Sequence, residues 1–312
     1  MGNVSQSLPS KGESLAVLAG CTLFLAVTAV FIGLRTDHCF FTALFCVFYF
    51  ASPQTRKLAM ALLPFAAFYA SYDWMRVVPN YTVNTVDTRP LYETELACFG
   101  IDSGGSRIIP CAWFCQHNWP IVDLLAGLFY LCWVPVPMAF GLWLYFRGQR
   151  QEYLRFSLAF LFVNLLGFAG YYIHPAAPPW YVLEHGFDPV FSTPGNVAGL
   201  ARFESLTGIS VFSNIYCNNS NIFAAMPSLH AAYVLIATTY SLLTRQSRTL
   251  TTMLAVVTIG IWFTAVYTCH HYIIDVIFGI LTALIGIWLF EQSLLRIAPF
   301  RRFVLRYVRY IT

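Results

Sequence analysis

Long apolar runs alternate with short polar breaks along the whole chain. Eight runs are candidate membrane spans: residues 14 to 34, 38 to 53, 58 to 75, 121 to 146, 156 to 173, 227 to 243, 250 to 268 and 271 to 290. Crossing ~30 Å of hydrocarbon takes ~20 helical residues. The pattern therefore predicts an all-α polytopic membrane protein of about eight transmembrane helices. The second run is the shortest and ends against Ser52 and Pro53; were it re-entrant, the number of spans would be odd. The first is too long for a signal-peptide core, has no basic flank beyond Lys11 and no small-residue cleavage site, so it is read as a span.

Lys and Arg collect in cytoplasmic loops close to the membrane. With the N-terminus inside, 13 of the 18 basic residues fall on inner segments, from Lys11, Arg56 and Lys57 through to Arg306 and Arg309. Arg35, Arg76, Arg89, Arg107 and Arg202 fall outside, four of them in the long loops 76 to 120 and 174 to 226. The histidines, which took no part in that argument, sort the same way: all 7 lie at or beyond the outer ends of spans. The chemistry is thereby placed at the outer face. Loops of that length fold over a site or bind a partner. The tail from Phe300 to Arg309 mixes bases with aromatics, as an amphipathic anchor on the inner leaflet would.

Composition agrees. Of 312 residues, 58% are hydrophobic and 10% charged, against roughly 25% charged in a soluble domain. A soluble protein is excluded. The net charge of +4 is accounted for by topology, so no nucleic-acid partner follows. No internal repeat supports a repeat-built transporter.

The candidate chemistry sits where two inward-running spans begin. Met226-Pro-Ser-Leu-His230 opens one, and Cys269-His-His-Tyr-Ile-Ile-Asp275 the other. On a helix, His271 and Asp275 at i and i+4 share a face. A carboxylate on one ring nitrogen fixes the tautomer and leaves the other as a basic lone pair, fit for a nucleophile or base. Such a pair can also be purely structural. A second histidine, His230, at a neighbouring helix start favours function, because helix N-termini side by side attract an anion.

Here the sequence resembles the type 2 phosphatidic acid phosphatase superfamily, whose motifs run Lys-x6-Arg-Pro, Pro-Ser-x-His and Ser-Arg-x5-His-x3-Asp on a six-helix core. Pro227-Ser228-Leu229-His230 matches the second motif, and His271 with Asp275 the end of the third. Thr264-Ala265 stands in place of the third motif's Ser-Arg, and the first motif's basic pair is replaced by Tyr171-Tyr-Ile-His-Pro-Ala-Ala-Pro-Pro-Trp180. These departures resemble the inositol phosphorylceramide synthase branch, as do Tyr72-Asp-Trp-Met-Arg76 and the segment from His117 through Asp123. The resemblance implies an accessory hairpin over residues 1 to 57, a six-helix catalytic core over 58 to 290 and a basic tail over 291 to 312.

It also implies a phosphotransferase that moves phosphoinositol from phosphatidylinositol to ceramide and uses no cofactor. His271 is the nucleophile, His230 the acid and base, and Asp275 the orienting group. With water as acceptor the same machinery is a phosphatase. For the missing basic residues, Arg76 held by Asp73 is the first substitute and Arg202 the second; the bland reading is that Asp73 and Arg76 merely pair. Asp123, Tyr172, His174, Trp180, Ser228 and His270 complete the candidate substrate contacts. Two rivals belong to other classes. Two His and an Asp could bind zinc, but no further ligand cluster is evident. A transporter would want charge deep in several spans, whereas here it lies near outer ends. The outer cysteines could pair as Cys98 with Cys111 or Cys115. The expected setting is a bacterial inner membrane with the site on the periplasmic face, or the lumenal Golgi face in a eukaryote.

Overall fold

A computed structural model describes residues 9–217 and 221–312. In chain order the helices are α1 (Lys11–Phe31), α2 (Thr36–Ala51), α3 (Pro53–Ala61), α4 (Leu63–Trp74), α5 (Arg89–Phe99), α6 (Pro110–Gln116), α7 (Pro120–Leu131) and α8 (Pro135–Phe146). They continue as α9 (Arg150–Ile173), α10 (Pro179–His185), α11 (Ala201–Thr207), α12 (Val211–Tyr216), α13 (Leu229–Leu243), α14 (Arg248–Tyr267), α15 (Ile273–Gln292) and α16 (Ala298–Ile311). A small hairpin, β1 (Ile101–Ser103) with β2 (Ser106–Ile108), is the only paired sheet among the described residues.

All eight apolar runs are mainly helical, but not every run is one long helix. Among the described residues α1, α9, α14 and the helix starting at Ile273 are each long and apolar enough to cross a membrane, and α7 with α8 makes a fifth if that pair, bent by 46°, is one span. The bend falls just before Pro135, whose ring excludes the helical conformation behind it and whose missing N–H breaks the ladder. Pro64 stands in the same relation to the break between α3 and α4. Helix α2 has 16 residues and α13 has 15. At 1.5 Å per residue α13 covers only ~22 Å, short of the ~30 Å of a hydrocarbon core.

The core forms two layers. One is aromatic packing among α4, α8, α9, α13 and α15, with Phe65, Phe156, Phe160, Tyr233 and Tyr240 at its centre. At its inner end Glu291 accepts from Arg155 and from the Tyr240 hydroxyl, tying α15 to α9 and α13. The second layer joins the long loops to α7 and α14 through Tyr130, Trp180, Tyr181, Phe203, Phe212 and Phe223. The Pro175–Ala177 segment runs between the two loops as a strand would. Asp87 N–H donates to the Pro175 carbonyl, Ala177 N–H to that of Asp87, and Ala225 N–H to that of Ala176. The N-terminal hairpin docks through a buried ion cluster, in which Asp73 on α4 accepts from Arg35 at 2.8 Å and His38 at 2.8 Å. Helix α16 buries Val304 and Ile311 while Arg301, Arg302, Arg306 and Arg309 stay exposed, the division an interfacial helix requires.

Candidate active site

Ser228, fully buried, caps α13: its hydroxyl accepts from the Ala231 N–H at 3.4 Å. Its own N–H donates to the Asp275 carbonyl at 2.9 Å, so the starts of α13 and α15 are joined directly. Gly279, one turn below Asp275, allows the approach, since a Cβ there would lie 2.1 Å from the Ser228 carbonyl oxygen. His230 thereby reaches His271, with 3.1 Å between His230 Nδ1 and His271 Nε2.

His271 lies in the turn before α15, not on the helix. The N–H groups of His270 and His271 both donate to the Ala265 carbonyl at 3.0 Å. Because α15 begins at Ile273, the Asp275 carboxylate folds back to accept the Tyr272 N–H at 2.8 Å. Its distance to His271 Nδ1 is 3.6 Å, an ion-pair separation rather than a hydrogen bond. The closer partner of Nδ1 is the Ala225 carbonyl at 3.0 Å. A carbonyl only accepts, so Nδ1 carries the proton, and Nε2 keeps a lone pair that faces His230. The sequence argument reached that tautomer through Asp275; the fold reaches it through Ala225, with Asp275 adding charge behind.

The start of α15 is also held by Glu95 of α5. This carboxylate is fully buried and accepts from the N–H groups of Ile273 at 2.9 Å and Ile274 at 3.2 Å. Burial, reinforced by the nearby Asp275, raises the Glu95 carboxyl to about 7 despite those two bonds.

The two histidines open on a cavity of about 160 Å³ lined also by His270, Trp180 and aromatic side chains of α4, α7, α9 and α13. The Tyr130 ring stacks on His230 at 4.9 Å, and Trp133 lies 4.8 Å from it. Among the described residues no Lys, Arg, Asp or Glu lines the cavity.

The other candidates fall elsewhere. Asp73 and Arg76 meet at 3.2 Å within the cluster that docks the hairpin. Asp123 accepts from Arg202 at 2.6 Å and from the Tyr267 hydroxyl at 2.9 Å, bracing the end of α14. Tyr172 donates to the Val78 carbonyl, and His174 pairs with Asp87 at 3.1 Å in the outer loops. None of these six lines the cavity. Cys98 is exposed, whereas the Cys115 thiol meets that of Cys269 at 2.9 Å and the Cys111 thiol donates to the His271 carbonyl. No group of three or more His, Cys, Asp or Glu able to hold a metal occurs among the described residues. Sequence reasoning missed Glu95, Tyr130, Trp133, Tyr171 and Tyr233. Tyr130 ends α7 and Trp133 lies in the turn that follows, and in an apolar run aromatics give no sign of whether they meet lipid or a cavity.

Comparison with known proteins agrees with this geometry. The model of the PAP2 superfamily matches residues 105–289. The chain is 54% identical over 304 residues to the phosphoinositol dihydroceramide synthase of Bacteroides thetaiotaomicron, covering 97% of this chain and 100% of that one. It is 26% identical to the inositol phosphorylceramide synthase of Candida albicans, over 88% of this chain and 57% of that one. To the catalytic subunit of the same enzyme in Saccharomyces cerevisiae it is 25% identical, over 84% and 63%. The chain thus spans about three fifths of the length of these fungal relatives. No solved structure matches it significantly. The chain belongs to the PAP2 superfamily and is an inositol phosphorylceramide synthase-like member of it.

Proposed function

We propose that this protein transfers phosphoinositol from phosphatidylinositol to ceramide or dihydroceramide through a phospho-histidine. The observation that carries the reading is the His230–His271 pair, with Nδ1 of His271 committed to Ala225 and Nε2 directed at His230 across 3.1 Å. The name of the relative at 54% identity supports the donor headgroup and the acceptor.

The phosphoryl group enters between the two imidazoles and displaces their mutual hydrogen bond. His271 Nε2 attacks phosphorus as the bond to the diacylglycerol oxygen breaks. His230, entering as the imidazolium, gives that oxygen its proton and is left neutral. The acceptor's hydroxyl then attacks the phospho-histidine and surrenders its proton to His230, while His271 leaves. Protons and charge balance over the cycle. The nearby Asp275 carboxylate favours the charged His271 formed on phosphorylation. The aromatic lining limits water, which would otherwise take the place of the lipid acceptor. In this reading Arg76 and Arg202, engaged by Asp73 and Asp123, hold the frame. Residues 58 to 290 are the catalytic core, the first hairpin is accessory, and the site opens on the periplasmic face of an inner membrane.

The test supplies purified protein with phosphatidylinositol, with and without ceramide, and resolves the lipid products. Inositol phosphorylceramide and diacylglycerol in equal amounts are expected, and none from His271→Ala. Free inositol phosphate as the sole product in both conditions would refute transfer. Retained turnover in His271→Ala would refute the phospho-histidine.

A further inference from the structure

The reacting group is a phosphoryl anion, yet among the described residues no Lys or Arg lines the cavity around the His pair. What lines it is phenol: Tyr72, Tyr130, Tyr171, Tyr216 and Tyr233. Each phenol has one proton to donate. The Tyr130 and Tyr216 hydroxyls lie 3.4 Å apart, and their contact uses one of the pair's two protons, leaving the other to the cavity. Tyr171 and Tyr233 are 5% and 4% exposed, and neither donates to a described residue. Three O–H donors on different helices, α7, α9 and α13, thus border the space beside His230 and His271. An O–H at the wall of a water-poor cavity is best matched by an acceptor inside it, so the group that belongs here is rich in acceptors.

Resting on the transfer reading above, we propose that the hydroxyls of Tyr130, Tyr171 and Tyr233 bind the non-bridging phosphoryl oxygens in place of a cationic cradle. The consequence is a choice of substrate by charge: a phosphodiester monoanion is accepted and a phosphomonoester dianion is refused. Neutral donors stabilise one delocalised negative charge well in a water-poor site, where preorganised hydrogen bonds act at full strength. The His230 imidazolium of the transfer reading offsets that one charge, the hydroxyls supply nothing to offset a second, and an unpaired charge taken out of water costs several kcal/mol. A phosphomonoester loses its second proton near pH 6, so at pH 8 phosphatidic acid is almost wholly dianionic while phosphatidylinositol keeps a single charge.

The test uses the full-length protein in mixed micelles at pH 8. Tyr171→Phe and Tyr233→Phe each remove one oxygen and no volume. Each is expected to lower kcat with phosphatidylinositol and ceramide by ~10²-fold, the loss of one preorganised oxyanion donor. Thermal stability is expected to hold in Tyr233→Phe and to fall slightly in Tyr171→Phe, whose oxygen accepts from the Leu229 N–H. In the wild type, short-chain phosphatidylinositol is expected to compete for the site while short-chain phosphatidic acid of equal chain length neither competes nor turns over. This second measurement decides the matter even if a Phe variant fails to fold. Unchanged kcat in both variants, or phosphatidic acid binding as well as the diester, would overturn the hydroxyl site while leaving the transfer reaction intact. Absence of any phosphoinositol transfer by the wild type would instead bring down the reading beneath it.

Discussion

Substituting alanine for Gly279 tests how the two helix starts set the catalytic distance. The added Cβ would lie 2.1 Å from the Ser228 carbonyl oxygen and 3.2 Å from the Ala231 Cβ. The first contact is with backbone and cannot be relieved by a rotamer. A carbon and an oxygen need roughly 3.2 Å, so Ser228 must retreat by about 1 Å. His230 follows Ser228 by two residues, and its Nδ1 would leave the 3.1 Å separation from His271 on which the proposed transfer depends. A misplacement of about 1 Å at a reacting centre costs on the order of 10²-fold in rate. Stability should change less. Overpacking costs ~1–3 kcal/mol, partly offset by the ~1 kcal/mol that alanine gains over glycine inside a helix. Turnover of phosphatidylinositol with ceramide and the thermal midpoint in detergent are measured together on Gly279→Ala and on a control, Gly286→Ala. The control sits two turns further along α15 and meets the Val163 side chain at 2.7 Å, away from the histidines. Kcat should fall ~10²-fold in the first and stay within a few-fold in the second. Full turnover in Gly279→Ala would refute the idea that the docking of Ser228 on α15 sets the histidine separation.

Three further outcomes are expected. Because Glu95 is raised to about 7 in the fold against an ordinary carboxyl near 4.5, the folded state holds its proton more tightly than the unfolded chain. Stability owed to this group is therefore full below about 4.5 and declines as pH rises to about 7, by up to ~3 kcal/mol. Glu95→Gln should flatten that difference in a series of thermal midpoints against pH, and an unchanged slope would contradict it. Glu95→Ala, which strands two N–H groups at the start of α15, should lower kcat more than Gln does, with KM little altered. Asp73→Asn should loosen the N-terminal hairpin by about 3 kcal/mol, the cost of breaking a buried ion cluster, without changing kcat of the protein that remains folded; a selective rise in KM for phosphatidylinositol would instead place Arg76 at the phosphate.

Much of this protein was legible from local pattern. Hydrophobic runs identified the membrane helices because a bilayer demands ~20 apolar residues in sequence, and that demand is met without reference to any other part of the chain. His230, His271 and Asp275 stood out for a related reason: a polar group at the end of an apolar helix is costly unless it is used. The helix breaks beside Pro64 and Pro135 fall inside two runs read as continuous spans, although the clash that causes them is local, with the residue just behind.

Tertiary structure alone decided what surrounds those groups. Nothing in the sequence near His271 announces that its Nδ1 proton goes to Ala225, 46 residues earlier, or that Glu95, 178 residues before Ile273, holds the start of α15. Each depends on where the long loops close, and loop closure is set by the whole packing rather than by neighbours in the chain. The same holds for charge. The sequence singled out Arg76 and Arg202 as candidate phosphate ligands by their position near outer ends, but the fold gives each an aspartate and lines the cavity with tyrosines from several helices. A local pattern fixes which residues lie at the membrane's edge; only packing fixes which of them face one another.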